Sequence, residues 1–336
     1  MRTRVRRLAV GLAVAAGALV VSLGVLAAVD EALRRHYAES VGLNRWGYRG
    51  PVAAPKQPGE RRAVMLGGST VFGYGVAPGE SIPAQLERRL RGDGGAVSVV
   101  NLGYVREGAW SFAPTLADYA GLDYDVVVLY EGYNDLRRRG SRAFRRDSPV
   151  FRATGYFPFL PLVLSEKAHA LRHGADLGER YGREDPVFRP GLADRASAGA
   201  LRAAADVARS LEHVLGPLTP SAAAAPSAVP APCAEAFREY CGAVRAGVDA
   251  ALARGARVLV ASQPYIADLH VAQQRQLAAM LAAQYGAEAR VRYVDLGRAL
   301  DLRDPALAFD GMHLTPEGNR RIAEALAPAV AALLRR

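Results

Sequence analysis

Along the chain, short runs that are apolar on both faces alternate with stretches whose apolar residues recur every three to four positions. The runs are Ala63 to Leu66, Val97 to Val100, Val126 to Tyr130, Val258 to Ala261 and Val291 to Leu296. The helical patterns are Ile82 to Leu90, Phe112 to Tyr119, Val271 to Tyr285 and Pro316 to Leu334. A strand apolar on both faces is covered on both faces, and helices between such strands supply the cover. The pattern predicts an α/β domain: a three-layer α/β/α, flavodoxin-like, doubly wound sheet of five parallel strands. One interval, residues 136–232, breaks the alternation and reads as an insertion. It holds an arginine cluster (Arg137, Arg138, Arg139, Arg142, Arg145, Arg146), the stretch YFPFLPLVL from Tyr156 to Leu164, an alanine-rich helical pattern around 196–214 and a low-complexity Pro/Ala tail.

Ahead of this domain, Leu8 to Val29 contains only Ala, Val, Leu and Gly apart from Ser22. About 20 apolar residues suffice for a transmembrane helix. Arg2, Arg4, Arg6 and Arg7 precede the run and Asp30 and Glu31 follow it, so the positive-inside bias puts the N-terminus in the cytoplasm and the rest outside. A cleaved signal peptide has a shorter apolar core and a clearer small-x-small site, so residues 1–30 read as an uncleaved cell-membrane anchor. Residues 31–60, without sustained periodicity and rich in proline at Pro51, Pro55 and Pro58, read as a linker to a domain at 61–336.

The formal charge of +10 is carried mostly by arginine and matches no nucleic-acid motif, so no nucleic-acid partner is expected. The arginine cluster reads as solvated surface. In an oxidising compartment Cys233 and Cys241 could pair. Eight residues apart on a continuous helix they would lie roughly 12 Å from each other, too far to bond, so a bridge requires Cys233 to lie in a loop folded back on the helix. Bridge and free thiols both stay open. Glu166, His169 and His173 have helical ligand spacing but lack a fourth ligand, and no metal or organic cofactor is expected.

Ligands of an open parallel sheet bind beyond the C-terminal ends of its strands. The first strand delivers Gly67-Gly68-Ser69, the second Asn101-Leu102-Gly103, the third Gly132-Tyr133-Asn134-Asp135, and the fifth is followed by FDGMHLTPEGN with Asp310 and His313. A serine becomes a nucleophile when a base takes its proton, and histidine does so best when a carboxylate holds its other nitrogen. Asp310 and His313, three apart across Gly311, suit that pairing, with Ser69 as nucleophile. The oxyanion candidates are the N–H groups of Ser69 and Gly103 and the side-chain amide of Asn134. A phosphate-binding turn at Ser69 lacks the lysine of the Walker pattern.

These blocks, LGGST, NLGY, GYND and DGMH in this order, resemble the SGNH hydrolases, also called the GDSL-type esterase and lipase family. The resemblance runs over about residues 60–336. It implies Ser69 as nucleophile, His313 as base, Asp310 as its partner, and Gly103 and Asn134 as oxyanion donors. Two departures stand out: Gly68 occupies a position where many members carry aspartate, and Gly108 comes later than the corresponding glycine of many relatives. NRWGYRGP resembles a segment preceding the core of some extracytoplasmic members, expected at the domain's edge. The function expected is a serine esterase cleaving an acyl ester, an envelope glycan O-acetyl group or a lipid ester. The alternatives are an O-acetyltransferase using the same triad and a noncatalytic envelope-binding module. YFPFLPLVL is expected either as a lid or acyl-binding wall over Ser69 or as packing for the insertion.

Overall fold

The computed structural model describes residues 2–39, 41–92, 96–136, 144–164 and 233–335. Five parallel strands, β1 (Arg61–Gly67), β2 (Val97–Asn101), β3 (Val126–Tyr130), β4 (Arg257–Ala261) and β5 (Val291–Val294), form one sheet in the order β2-β1-β3-β4-β5. This is the flavodoxin-like order, with its switch point between β1 and β3.

The sheet is covered as its apolar runs require. Ala63, Met65, Val126, Val128 and Leu259 face a core shared with α3 (Ile82–Gly92) and the last helix, Pro316–Leu334. The alternate positions, Val64, Leu66, Val127, Leu129, Val258 and Val260, face α4 (Phe112–Asp118) and two helices at Arg238–Ala253 and Asp268–Tyr285. Counted in chain order with α1 and α2 below and α5 at Pro149–Thr154, these last three are α8, α6 and α7. Every residue of β3 is buried, and each such Val or Leu stabilises the fold by about 1.5–3 kcal/mol relative to exposure. Helix α8 starts at Thr315, whose Oγ1 accepts the Gly318 N–H at 3.1 Å, and has Pro at its first position, a strong start signal.

A single helix, α1 (Arg2–His36), precedes the sheet. It is long and apolar enough to cross a membrane, and its apolar window is unburied. The linker expectation for residues 31–60 does not hold. Val41, Leu43 and Tyr48 join the core, and Arg34 and Arg49 are buried beside them. Polar periodicity hid this because the segment buries its arginines by turning their guanidinium groups onto backbone carbonyls.

The arginine cluster divides. Arg146 pairs on the surface with Asp118 at 2.8 Å, whereas Arg145 is buried, donating to Gly47 O at 2.7 Å and Leu102 O at 2.9 Å; Arg137, Arg138, Arg139 and Arg142 lie outside the described residues. In YFPFLPLVL, Phe157, Phe159 and Val163 pack into the core. Cys233 and Cys241 are disulfide-bonded, with Cα atoms 6.4 Å apart. Cys233 lies in extended chain ahead of α6 and folds back on it, the geometry the bridge requires. Glu166, His169, His173, the 196–214 pattern and the Pro/Ala tail lie outside the described residues.

Candidate active site

The turn after β1 is built for close approach. A Cβ on Gly67 would overlap the carbonyl of Tyr130, and one on Gly68 would overlap Asn134 Nδ2 and Glu131 Oε2 and come within 2.8 Å of Glu107 O. Two glycines in succession let β1 end against β3 and hand over to the short helix α2 (Ser69–Phe72) with Ser69 at its first position. Gly73 (φ +83°) ends that helix, and Arg49 holds it from outside. Arg49 Nη1 donates to Phe72 O at 2.5 Å and Gly73 O at 2.6 Å, and Nη2 donates to Val76 O at 2.6 Å. NRWGYRGP was expected at the domain's edge; its Arg49 instead caps the C-terminal carbonyls of the serine helix.

Ser69 Oγ lies 2.9 Å from His313 Nε2, and His313 Nδ1 lies 2.8 Å from Asp310 Oδ2. An ionised carboxylate only accepts, so the ring proton sits on Nδ1 and Nε2 is left to accept from the serine hydroxyl. Asp310 Oδ1 accepts the N–H groups of Met312 (3.0 Å) and His313 (2.8 Å), a turn that Gly311 permits at φ +76°. Burial pushes the Asp310 carboxyl up, but its bond to the His313 ring and the N–H groups of His313 and Met312 outweigh this and hold it below the ordinary carboxylate range. The Tyr74 ring packs on the imidazole with centroids 4.7 Å apart.

The oxyanion candidates fare unequally. The Ser69 N–H, at the start of α2, meets no acceptor among the described residues. Asn134 stands beside it: its Nδ2 donates to Glu107 O at 2.7 Å and crowds the space above Gly68. The N–H of Gly103 is turned instead onto Asn101 Oδ1 at 3.0 Å. Gly103 itself packs against α2, where a Cβ would come within 2.7 Å of Phe72 N, and the later loop, Tyr104 to Gly108, in which Arg106 takes a left-handed φ of +65°, brings the Glu107 carbonyl to Gly68.

Glu131, at the end of β3, was not singled out from the sequence. Its Oε2 accepts the N–H of Gly68, and its Oε1 accepts those of Gly132 at 3.0 Å and Asn134 at 3.2 Å. One buried carboxylate thus ties together the two segments that carry Ser69 and Asn134. Burial pushes Glu131 well above the ordinary carboxylate range despite these donors. Asp135 is raised too, by burial and then by the charge of Glu131. Asp135 in turn accepts the N–H of Ala109 at 3.1 Å. The signal available in the sequence was an acidic residue ending an otherwise apolar strand, in a chain whose residue 68 is glycine where many relatives have aspartate.

Gln263, after β4, was also missed. Its Nε2 donates to Thr70 Oγ1 at 2.8 Å and its Oε1 accepts the Tyr133 N–H at 2.9 Å, a second cross-link between the same two segments.

A family model described as GDSL-like Lipase/Acylhydrolase matches residues 65–321. The chain belongs to that family. Its members act on ester bonds, and this one carries their α/β fold. No curated protein matches the chain. Similar solved structures include a putative lipolytic protein of the G-D-S-L family from Desulfitobacterium hafniense (13% identity, 80% of this chain and 98% of that one, TM-score 0.42). A family 3 carbohydrate esterase from Clostridium thermocellum shares 12% identity over 82% of this chain and 99% of that one, with a TM-score of 0.44. The esterase EstA from a Pseudoalteromonas species shares 9% over 82% and 100%, with a TM-score of 0.43. At such identities and scores these structures say nothing of this chain's substrate.

Proposed function

We propose that this GDSL-family protein is a membrane-anchored, extracytoplasmic serine esterase in which Ser69 is acylated by an ester of the cell envelope, a glycan O-acetyl group or a lipid ester. The observation that carries the reading is the unbroken chain Ser69 Oγ, His313 Nε2, His313 Nδ1, Asp310 Oδ2, with contacts of 2.9 and 2.8 Å.

The chemistry follows from those contacts. His313 Nε2 takes the hydroxyl proton as Ser69 Oγ adds to the ester carbonyl, and Asp310 stabilises the imidazolium that forms. The tetrahedral oxyanion is met by the Ser69 N–H, joined by the Asn134 amide when Nδ2 turns from Glu107 O and by the Gly103 N–H when it leaves Asn101. His313 returns the proton to the departing alcohol, leaving an acyl-serine. Water adds to the acyl carbon while giving a proton to the same Nε2, and as the acyl–Oγ bond breaks Nε2 returns that proton to Ser69 Oγ, releasing the acid and the free enzyme. An O-acetyltransferase shares every step to the acyl-enzyme and differs only in admitting a sugar hydroxyl in place of water.

The extracytoplasmic placement is supported by the arginines ahead of the apolar helix, by the acidic residues after it and by the Cys233–Cys241 bond. The test is the full-length chain in detergent, incubated with a fluorophosphonate and read by intact mass. Labelling of wild type and none of Ser69→Ala is the expected result; no labelling of folded wild type would turn the reading toward a noncatalytic binding module. Free acid measured with and without an acceptor glycan then separates hydrolysis from transfer.

A further inference from the structure

Helix α1 does not end in a tether. It runs without glycine or proline from Val25 to His36, and its last turns are locked into the catalytic domain. Asp30 Oδ1 accepts the Leu160 N–H at 2.5 Å, and Oδ2 accepts from Arg34 Nη2 at 2.9 Å and from the Tyr156 hydroxyl. Arg34 donates onward to the carbonyls of Asn44 and Phe157, both at 2.7 Å, and its guanidinium stacks 5.4 Å from the Phe159 ring centroid. Asp30 and Arg34 are buried at 3% and 7% exposure, within three helical turns of a segment that is bare of protein contacts.

The heights follow from helix geometry. Leu8 to Val29 spans about 33 Å at 1.5 Å per residue, close to the thickness of a hydrocarbon core of about 30 Å. Asp30 therefore leaves the bilayer at its surface, and the Leu160 N–H bonded to it brings residues 160–164 to the same level. The domain shows apolar side chains to the outside next to this segment: Leu164, at its end, is 60% exposed, and Trp46, 38% exposed, follows Arg45, whose guanidinium lies 3.7 Å from Glu31, the neighbour of Asp30. Arg35 and Arg45, both exposed, stand beside them and share Glu31. Aromatic, aliphatic and arginine side chains at one level are the composition of a membrane interface.

We infer that α1 and the hydrolase domain form one rigid body, and that the surface made by Trp46 and residues 160–164 rests in the headgroup layer of the bilayer that α1 crosses. This rests on the reading of α1 as a membrane span. It assigns YFPFLPLVL a place: its buried rings clamp the anchor, and its outward leucine enters the lipid interface. The site of Ser69 is then carried at a fixed height and tilt above the membrane.

Trp46 reports on this directly, because the only other tryptophan is Trp110. The full-length chain with Trp110→Phe is reconstituted into phosphatidylcholine–phosphatidylglycerol vesicles with and without bromine near the top of the acyl chains. We expect flotation with the vesicles, a blue-shifted Trp46 emission and loss of most of that emission with the brominated lipid. Asp30→Ala/Arg34→Ala should still float and still take up fluorophosphonate, but lose that quenching. A protein that floats while Trp46 remains unquenched and red-shifted overturns the docked surface and leaves the anchor reading standing. Emission that is blue-shifted yet unquenched shows that protein covers the face, and also overturns it. A chain that fails to float overturns the membrane span itself. Should Trp110→Phe fail to fold, the difference in quenching between wild type and Trp46→Phe gives the same answer.

Discussion

The carboxylate of Glu131, at the end of β3, accepts the N–H of Gly68, the residue that precedes Ser69 at the end of β1. Neither strand could deliver its side chain to a fixed point alone, since each ends in a glycine-rich loop. The carboxylate converts two loop ends into one platform, and Gln263 repeats the tie through Thr70 and Tyr133.

The raised carboxyls of Glu131 and Asp135 make stability depend on pH. Their folded-state pKa values lie above the unfolded ones. Their contribution is therefore complete below the ordinary carboxylate range and lost as pH rises through the raised folded values. Thermal melts should show Tm declining from mildly acidic toward alkaline pH, and Glu131→Gln should flatten that decline while lowering stability by about 1–3 kcal/mol, because one of its N–H donors loses its acceptor. An unchanged slope in Glu131→Gln would remove the pair from the account.

Asp310 acts in the opposite direction. Its lowered pKa contributes stability above the ordinary carboxylate range that disappears as pH falls through the folded value, so Asp310→Asn should blunt the acid limb of the same melts. It should also cut turnover by about 10⁴-fold by stabilising the wrong tautomer of His313, with substrate binding little altered. Steady-state kinetics on a chromogenic short-chain ester measures this.

Space, not charge, governs Gly68. Gly68→Ala places a methyl group against Asn134 Nδ2, Glu131 Oε2 and Glu107 O, all of them held by other bonds. Overpacking of this kind costs about 1–3 kcal/mol, and because it displaces the serine turn we expect fluorophosphonate labelling to slow by an order of magnitude or more. Labelling at the wild-type rate would show that the turn tolerates the group.

Arg49 holds the far end of the same turn. Arg49→Met leaves the carbonyls of Phe72, Gly73 and Val76 without their donor, and the loss of charge-assisted bonds of about 1.5–3 kcal/mol each sets an upper scale for the destabilisation. We expect kcat to fall with KM nearly unchanged, and Arg49→Lys to rescue poorly, since one ammonium cannot reproduce the fork.

Removing the disulfide by Cys233→Ser/Cys241→Ser opens a loop with a sequence separation of 8. A loop of that length predicts a loss of about 2–3 kcal/mol on the chain-entropy account. Ser69 labelling should persist, because the bond lies at the start of α6 and touches none of the Ser69, His313 and Asp310 contacts. Denaturant melts under reducing and oxidising conditions read the difference.

Much of this molecule was determined by local sequence. The β3 run Val126 to Tyr130 and the last helix, Pro316 to Leu334, were legible to the residue, because a fully buried parallel strand must be apolar throughout and a capped helix announces its start. That Ser69, His313 and Asp310 would come together was legible, because a glycine turn after a strand and a three-residue Asp–His spacing are local patterns, and the fold sets them in contact at 2.9 and 2.8 Å. What only the tertiary structure decided is where single polar side chains go once buried. Nothing local to Arg49, Arg145, Glu131 or Arg34 says that each is interior, since in sequence a buried ion and a solvated one look alike. Each is buried because carbonyl and N–H groups converge on it from segments far apart in the chain, and that convergence exists only after the sheet has closed. The same convergence took the Gly103 N–H for Asn101 and made the presumed spacer part of the core.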